Sequence, residues 1–385
     1  SNLPRGICLS LQGGVRLKRL IFTLLALAVL LCGCFSQTSQ QDRLESEVSV
    51  PSEQSGEANY SEDNTDNSLA SKIDPEPTQA PPPTLCTYLP VSSLSEGAQP
   101  VLESYADSIA ALDYLVLNTG AYWDESGALS LSDELLDAID CLSGKVSLWC
   151  TVNPSGELIR SQTAGSTIDT PQEREALAQN IAAFAQQYQL SGIDIDWEFP
   201  LEDEWEDFSS LIVALHQTLS ALDEPVKLSL ALYPEDIFLS EEAIRALESI
   251  HVMAYDQFDA QGYHSTFQTA CDSVAYFLSL GAKPQQLVLG IPAYGRPLDG
   301  SAQWIFYKDI DPSTISGENP DLAGTIYFNS PATTQQKTEY ACQQQLGGVM
   351  VYQLLCDRRD ENALILACAN TLERLDEPSN FRYDE

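Results

Sequence analysis

The chain has 385 residues, with 56 acidic against 19 basic side chains and a formal net charge of −37. Charge of that sign and size excludes nucleic acid as a partner and disfavours polyanionic glycans, while a hydrophobic content of 44% can fill one large domain with appendages. Ten cysteines and three histidines occur without C-x-x-C or Cys/His ligand spacing, so neither a metal site nor a cofactor is expected.

Near the start, Arg16, Lys18 and Arg19 precede an apolar run from Leu20 to Leu31, short for a membrane span but suited to a secretory signal. The run closes in L-C-G-C, which resembles a bacterial lipoprotein box; the alternatives are an ordinary signal peptide or an uncleaved anchor. The resemblance implies that 1–34 is a signal segment and that Cys34 is lipidated. The membrane would then be a partner through a lipid anchor only, at the extracellular face of a bacterial cell. From 35 to 84 the composition turns to Ser, Gln, Glu, Asp and Pro, without apolar periodicity, and a disordered linker is expected. As a flexible coil it would span on the order of 40 Å.

The remainder, 85–385, reads as one α/β domain. Strand candidates are Cys86–Val91, Tyr114–Asn118, Val146–Val152, Gly192–Trp197, Lys227–Leu232, His251–Tyr255, Gln286–Ile291 and Gly348–Gln353. Helical spacing separates them at 100–112, 133–142, 171–188, 205–221, 241–249, 266–280, 331–345 and 360–375. Eight such units predict a (β/α)8 TIM barrel. The competing open, doubly wound sheet lacks support, because T-Y-L-P-V-S-S and no glycine-rich loop follows the first strand. Seven cysteines fall in the domain, an odd number that cannot all pair, and most read as small buried hydrophobes.

The fourth strand is unlike the others. Ser191 to Pro200 reads S-G-I-D-I-D-W-E-F-P, so strand alternation puts Asp194, Asp196 and Glu198 on one face and Ile193, Ile195 and Trp197 on the other. Carboxylates two residues apart lie roughly 6 to 7 Å from each other and repel, and burying them gains nothing unless they are hydrogen-bonded or share a proton. That cost marks a site, at the carboxyl end of a barrel strand, where barrels place function. The sixth strand closes in M-A-Y-D, with Met253 and Tyr255 on one face and Asp256 at the lip. The seventh reads L-V-L-G-I-P-A-Y-G-R, with Tyr294 and Arg296 at its exit, and the eighth G-G-V-M-V-Y-Q-L, with Tyr352.

These stretches, in this order, resemble the D-G-x-D-x-D-x-E, M-x-Y-D, L-x-L-G-x-P-x-Y-G-R and G-G-V-M-x-W motifs of glycoside hydrolase family 18, the chitinase family. Ser191 stands where the first Asp would be, Tyr352 replaces the Trp that floors the sugar subsite, and W-C-T-V-N-P lacks the family's S-x-G-G. The resemblance implies hydrolysis of β-1,4-linked N-acetylglucosamine glycans, chitin or chitooligosaccharides, without a cofactor. Glu198 would be the acid, Asp196 and Asp194 its partners, and Tyr255 the holder of the substrate's acetamido oxygen. Tyr88, Met253, Asp256, Tyr294, Arg296 and Tyr352 would bind sugar. Trp123, Trp149 and Trp304, in or near expected strand-end loops, could stack on sugar rings or equally serve as packing. By that resemblance the substrate's own acetamido group is the nucleophile, and Asp196 shares a proton with Asp194. Alternatives are a peptidoglycan or N-glycan endo-N-acetylglucosaminidase, and a glycan-binding lipoprotein without turnover. A monomer is expected, with at most a rudimentary extra domain between Arg296 and Gly347.

Overall fold

A computed structural model describes residues 82–376, Ser95 excepted. The expected signal segment with Cys34, and all but the last residues of the expected linker, lie outside the described residues, so the model describes nothing of the expected lipid anchor. No helix among the described residues is long and apolar enough to cross a membrane.

Eight parallel strands close into a barrel: β1 (Thr84–Pro90), β2 (Tyr114–Trp123), β3 (Ser147–Pro154), β4 (Gly192–Ile195), β5 (Lys227–Leu232), β6 (Ser249–Val252), β7 (Leu287–Pro292) and β8 (Gly348–Tyr352). Each pairs with the next, and β8 returns to β1 with Thr84 opposite Gly348. The (β/α)8 expectation is met strand by strand. Apolar side chains on the outer strand face, among them Ile193, Ile195 and Leu230, pack under the helices in one continuous core. A smaller cluster, including Tyr88, Tyr114, Trp149, Tyr255 and Met350, fills the lumen.

Helix starts follow local chemistry. Thr170 caps Pro171–Gln187 in a reciprocal box with Glu173, and Ser132 caps Asp133–Leu142. The single helix expected at 100–112 is two, Gln99–Ser104 and Ala106–Ala110. Ser104 Oγ donates to the Pro100 carbonyl at 2.6 Å, a back-bond that competes with helix continuation at this point. β4 ends two residues earlier than expected, because the Asp196 N–H donates to the Asn153 side chain of β3 at 2.9 Å instead of to a neighbouring strand's backbone.

Between β7 and β8 the chain makes four short antiparallel strands, Tyr294–Pro297, Ile305–Phe306, Leu322–Ala323 and Ile326–Tyr327, which is the rudimentary insertion expected. All seven cysteines among the described residues are free thiols, and Cys86, Cys150, Cys356 and Cys368 are buried as apolar groups.

Candidate active site

Asp194 projects from β4 into the lumen and is fully buried. Ser229 Oγ on β5 donates to its Oδ1 at 2.6 Å, while Tyr88 on β1 and Thr151 on β3 donate to its Oδ2 at 2.9 and 3.5 Å. Hydrogen bonds to a charged group contribute about 1.5–3 kcal/mol each, so three hydroxyls can stand in for the water an ionised Asp194 has lost. Gly192, two residues earlier, is needed for packing: a Cβ there would lie 2.1 Å from the Trp149 ring.

Asp196 stands one step nearer the mouth. Its carboxyl is hydrogen-bonded to Glu198; burial first, then the charges of Glu198 and Asp194, push its pKa well above the carboxylate range. Burial also raises the pKa of Glu198, the hydrogen bond with Asp196 pulls it back, and the charge of Asp256 raises it again. Glu198 opens onto the mouth, so solvent screens part of that shift. Asp194 is held by three hydroxyls and Asp196 by Glu198, so in this arrangement a proton held between two carboxyls would lie between Asp196 and Glu198.

β6 delivers the facing wall. Tyr255 stacks on Tyr352 with ring centres 5.4 Å apart, and Met253 lines the lumen beside it. Asp256 follows in a left-handed backbone conformation (φ 60°), one that Asp tolerates better than most residues, and this aims its carboxyl across the mouth. Tyr294 donates to Asp256 Oδ2 at 2.9 Å, and Arg296 Nη1 lies 3.5 Å from Oδ1. Burial raises the pKa of Asp256, while Arg296 and Tyr294 draw it down. The loop behind is anchored by Lys337, fully buried, whose ammonium donates to the Ser265 carbonyl at 2.7 Å and to Asn329 Oδ1 at 2.6 Å.

The aromatic candidates divide. Tyr352 is half-buried at the end of β8, and Trp304 meets it edge-on at 6.1 Å while lying flat on Tyr294 at 4.0 Å. Tyr294 is thus covered by Trp304 and its hydroxyl is engaged by Asp256; it supports the wall and does not face sugar. Tyr88, read as a sugar contact, is likewise enclosed, with its hydroxyl on Asp194. Trp123 is fully buried against Trp197, with its indole N–H on Thr167 Oγ1 at 3.1 Å, and Trp149 is buried on Tyr114 with ring centres 4.5 Å apart; both are packing residues. Phe199 and Phe258, 43% and 49% exposed, rim the mouth instead.

The sequence reading missed Ser229, Thr151, Asn153 and His251. Their only signal was strand parity together with the assumption that β3 and β5 flank β4 and that β6 follows β5. A cleft of about 690 Å³ opens at the other end of the barrel, lined by Thr84, Tyr114, Ser147, Ser191, Lys227 and Ser249. It lies at the amino ends of the strands, away from the carboxylates.

Residues 161–357, just over half of the chain, match the model of the glycosyl hydrolases family 18. The chain is 28% identical over 181 residues to probable chitinase 2 of Drosophila melanogaster, covering 42% of this chain and 35% of that protein. It is 23% identical over 271 residues to chitinase 1 of Aphanocladium album, covering 54% of this chain and 62% of the relative. It therefore spans less than two thirds of either relative. In fold it is similar to a family 18 chitinase from the chitin utilization locus of Flavobacterium johnsoniae, with a TM-score of 0.65, 24% identity, and coverage of 76% of this chain and 95% of the other. A Bacteroides thetaiotaomicron chitinase gives a TM-score of 0.65 at 19% identity, over 78% of this chain and 99% of the other. With the acidic strand, the tyrosine-aspartate wall and the closed barrel in place, the chain belongs to glycosyl hydrolase family 18.

Proposed function

We propose that the protein hydrolyses β-1,4-linked N-acetylglucosamine glycans, chitin or its oligosaccharides, with the substrate's acetamido oxygen as nucleophile and net retention. The observation that supports this most is the contact between Asp196 and Glu198. An ordinary retaining glycosidase separates its two carboxyls by about 5–5.5 Å across the bond, and an inverting one by about 6.5–9.5 Å. Here the two carboxyls are hydrogen-bonded to each other just past the end of β4. Asp256, the next carboxylate, is held by Tyr294 and faced by Arg296, as suits a ligand of sugar hydroxyls. Glu198 then protonates the leaving oxygen and later deprotonates water, Asp196 orients the acetamido N–H, and Tyr255 receives the acetamido oxygen. Purified protein offered chitooligosaccharides, peptidoglycan and high-mannose glycoprotein is expected to turn over the first fastest. Preference for either other substrate would redirect the reading, and binding without turnover would end it.

Tyr352, beside Tyr255 and Trp304, takes the place of a broader indole under the sugar. Tyr352→Trp is expected to keep or raise kcat/KM, and Tyr352→Ala to lose about 1–3 kcal/mol of transition-state binding. Steady-state kinetics on a chitooligosaccharide measure both; unchanged values for the Ala variant would remove Tyr352 from the subsite.

We also propose attachment to the outer face of the cell membrane through lipidated Cys34, with the domain acting as a monomer. Mass spectrometry of the mature amino terminus is expected to find a diacylated cysteine, and Cys34→Ala to release the protein. Membrane retention of that variant would refute the anchor.

A further inference from the structure

Beneath the carboxylates, His251 on β6 is fully buried with a tyrosine hydroxyl at each ring nitrogen: Tyr88 OH is 2.6 Å from Nδ1 and Tyr114 OH is 2.9 Å from Nε2. The hydrogen count fixes the direction of this chain. Tyr88 has one hydroxyl hydrogen and gives it to Asp194 Oδ2 at 2.9 Å, so the hydrogen between Tyr88 and the imidazole must come from Nδ1. Burial drives the imidazole pKa down, with Asp194 opposing, so the ring is neutral and Nε2 is a bare acceptor for Tyr114. Ser249 Oγ, 3.5 Å from Nε2, is a second donor on that side. Every link, Tyr114 to His251 to Tyr88 to Asp194, then donates towards the carboxylate, and Nδ1–H also lies 3.6 Å from Asp194 Oδ1. The other tautomer would reverse the chain and take Tyr88's hydrogen away from Asp194.

We propose that His251, locked in its Nδ1–H tautomer, is a positioning residue that turns the Tyr88 hydroxyl onto Asp194 and so fixes that carboxyl beneath Asp196. This rests on the catalytic reading above for its consequence, though not for its geometry. The other groups facing Asp194 and His251 do not compete. Cys86 on β1 and Cys150 on β3 are buried thiols whose pKa burial pushes up, and Tyr88 and Tyr114 are raised as well, so all four stay neutral. Ser229 and Thr151 add donors to Asp194 without charge. The next carboxyls towards the mouth, Asp196 and Glu198, are hydrogen-bonded to each other.

Nitrogen-15 NMR of the histidine-labelled full chain reads the tautomer directly, with His216→Gln and His264→Gln used to assign the three rings. The expected result for His251 is a neutral ring protonated at Nδ1, and a proton on Nε2 or an imidazolium would overturn the proposal. In kinetics on a chitooligosaccharide, His251→Leu, which removes the ring that aims the Tyr88 hydroxyl, is expected to lower kcat several-fold with KM little changed. His251→Asn, which restores an N–H, should recover part of that kcat. An unchanged kcat in a folded His251→Leu protein would also overturn it. Absence of hydrolysis by the unmodified protein would instead count against the functional reading, with the tautomer still decided by NMR.

Discussion

Glu198→Gln is expected to leave the barrel folded and sugar bound while kcat falls by about 10²–10⁴-fold, towards the upper figure because one residue serves as acid in the first half-reaction and base in the second. Gln matches Glu in shape and offers an amide to the mouth, so packing around Phe199 and Tyr233 is kept. What disappears is the transferable proton. The site has no ready replacement: Asp196 reaches Glu198 from the same exit of β4, and Asp256 is bound by Tyr294 and faced by Arg296. Oligosaccharide affinity by calorimetry, beside turnover of the same oligosaccharide, separates the two effects. Equal loss of binding and turnover would mean that Glu198 holds substrate and does no proton transfer.

Asp196→Asn is expected to lower kcat by about 10²-fold and to move the alkaline limb of the pH profile to lower pH. In the native pair the last proton is held because its loss leaves two anions side by side, which adds to burial in raising the pKa of Asp196; burial raises that of Glu198, and the bond to Asp196 draws it down. With a neutral Asn at 196 the last proton loss creates no second charge, so the acid form is lost earlier on raising the pH. The pH dependence of kcat/KM for this variant is the test; an alkaline limb unmoved in Asp196→Asn would dissolve the shared-proton pair.

The barrel was readable because each strand is a compact apolar run bounded by turns, and the acids were readable because three carboxylates at period two cannot be reconciled with an ordinary strand. What surrounds Asp194 was not. Ser229 sits in K-L-S-L-A-L and His251 in S-I-H-V-M, both unremarkable strand segments until β5 and β6 turn them into the lumen at the height of Asp194. Tyr88 carried the right chemistry but the wrong assignment, since its distance from the mouth depends on the β1–β8 register. Trp123 could be packing or stacking by sequence for a related reason: the pairing of β2 with β3 shifts between Leu117 and Ala121, and such an irregularity resets which face a side chain takes. Trp304 was identifiable only as an aromatic in a loop; its role follows from lying on Tyr294 beside Tyr352.

Substrate-assisted retention is the claim on which the roles of Glu198, Asp196 and Tyr255 all depend. The most direct measurement is proton NMR of the first products of chitotetraose hydrolysis, before mutarotation, run beside cellotetraose, which has hydroxyls in place of the acetamido groups. The account predicts β-anomeric product from the former and no cleavage of the latter. An α-anomer as first product, or efficient cleavage of cellotetraose, would contradict it.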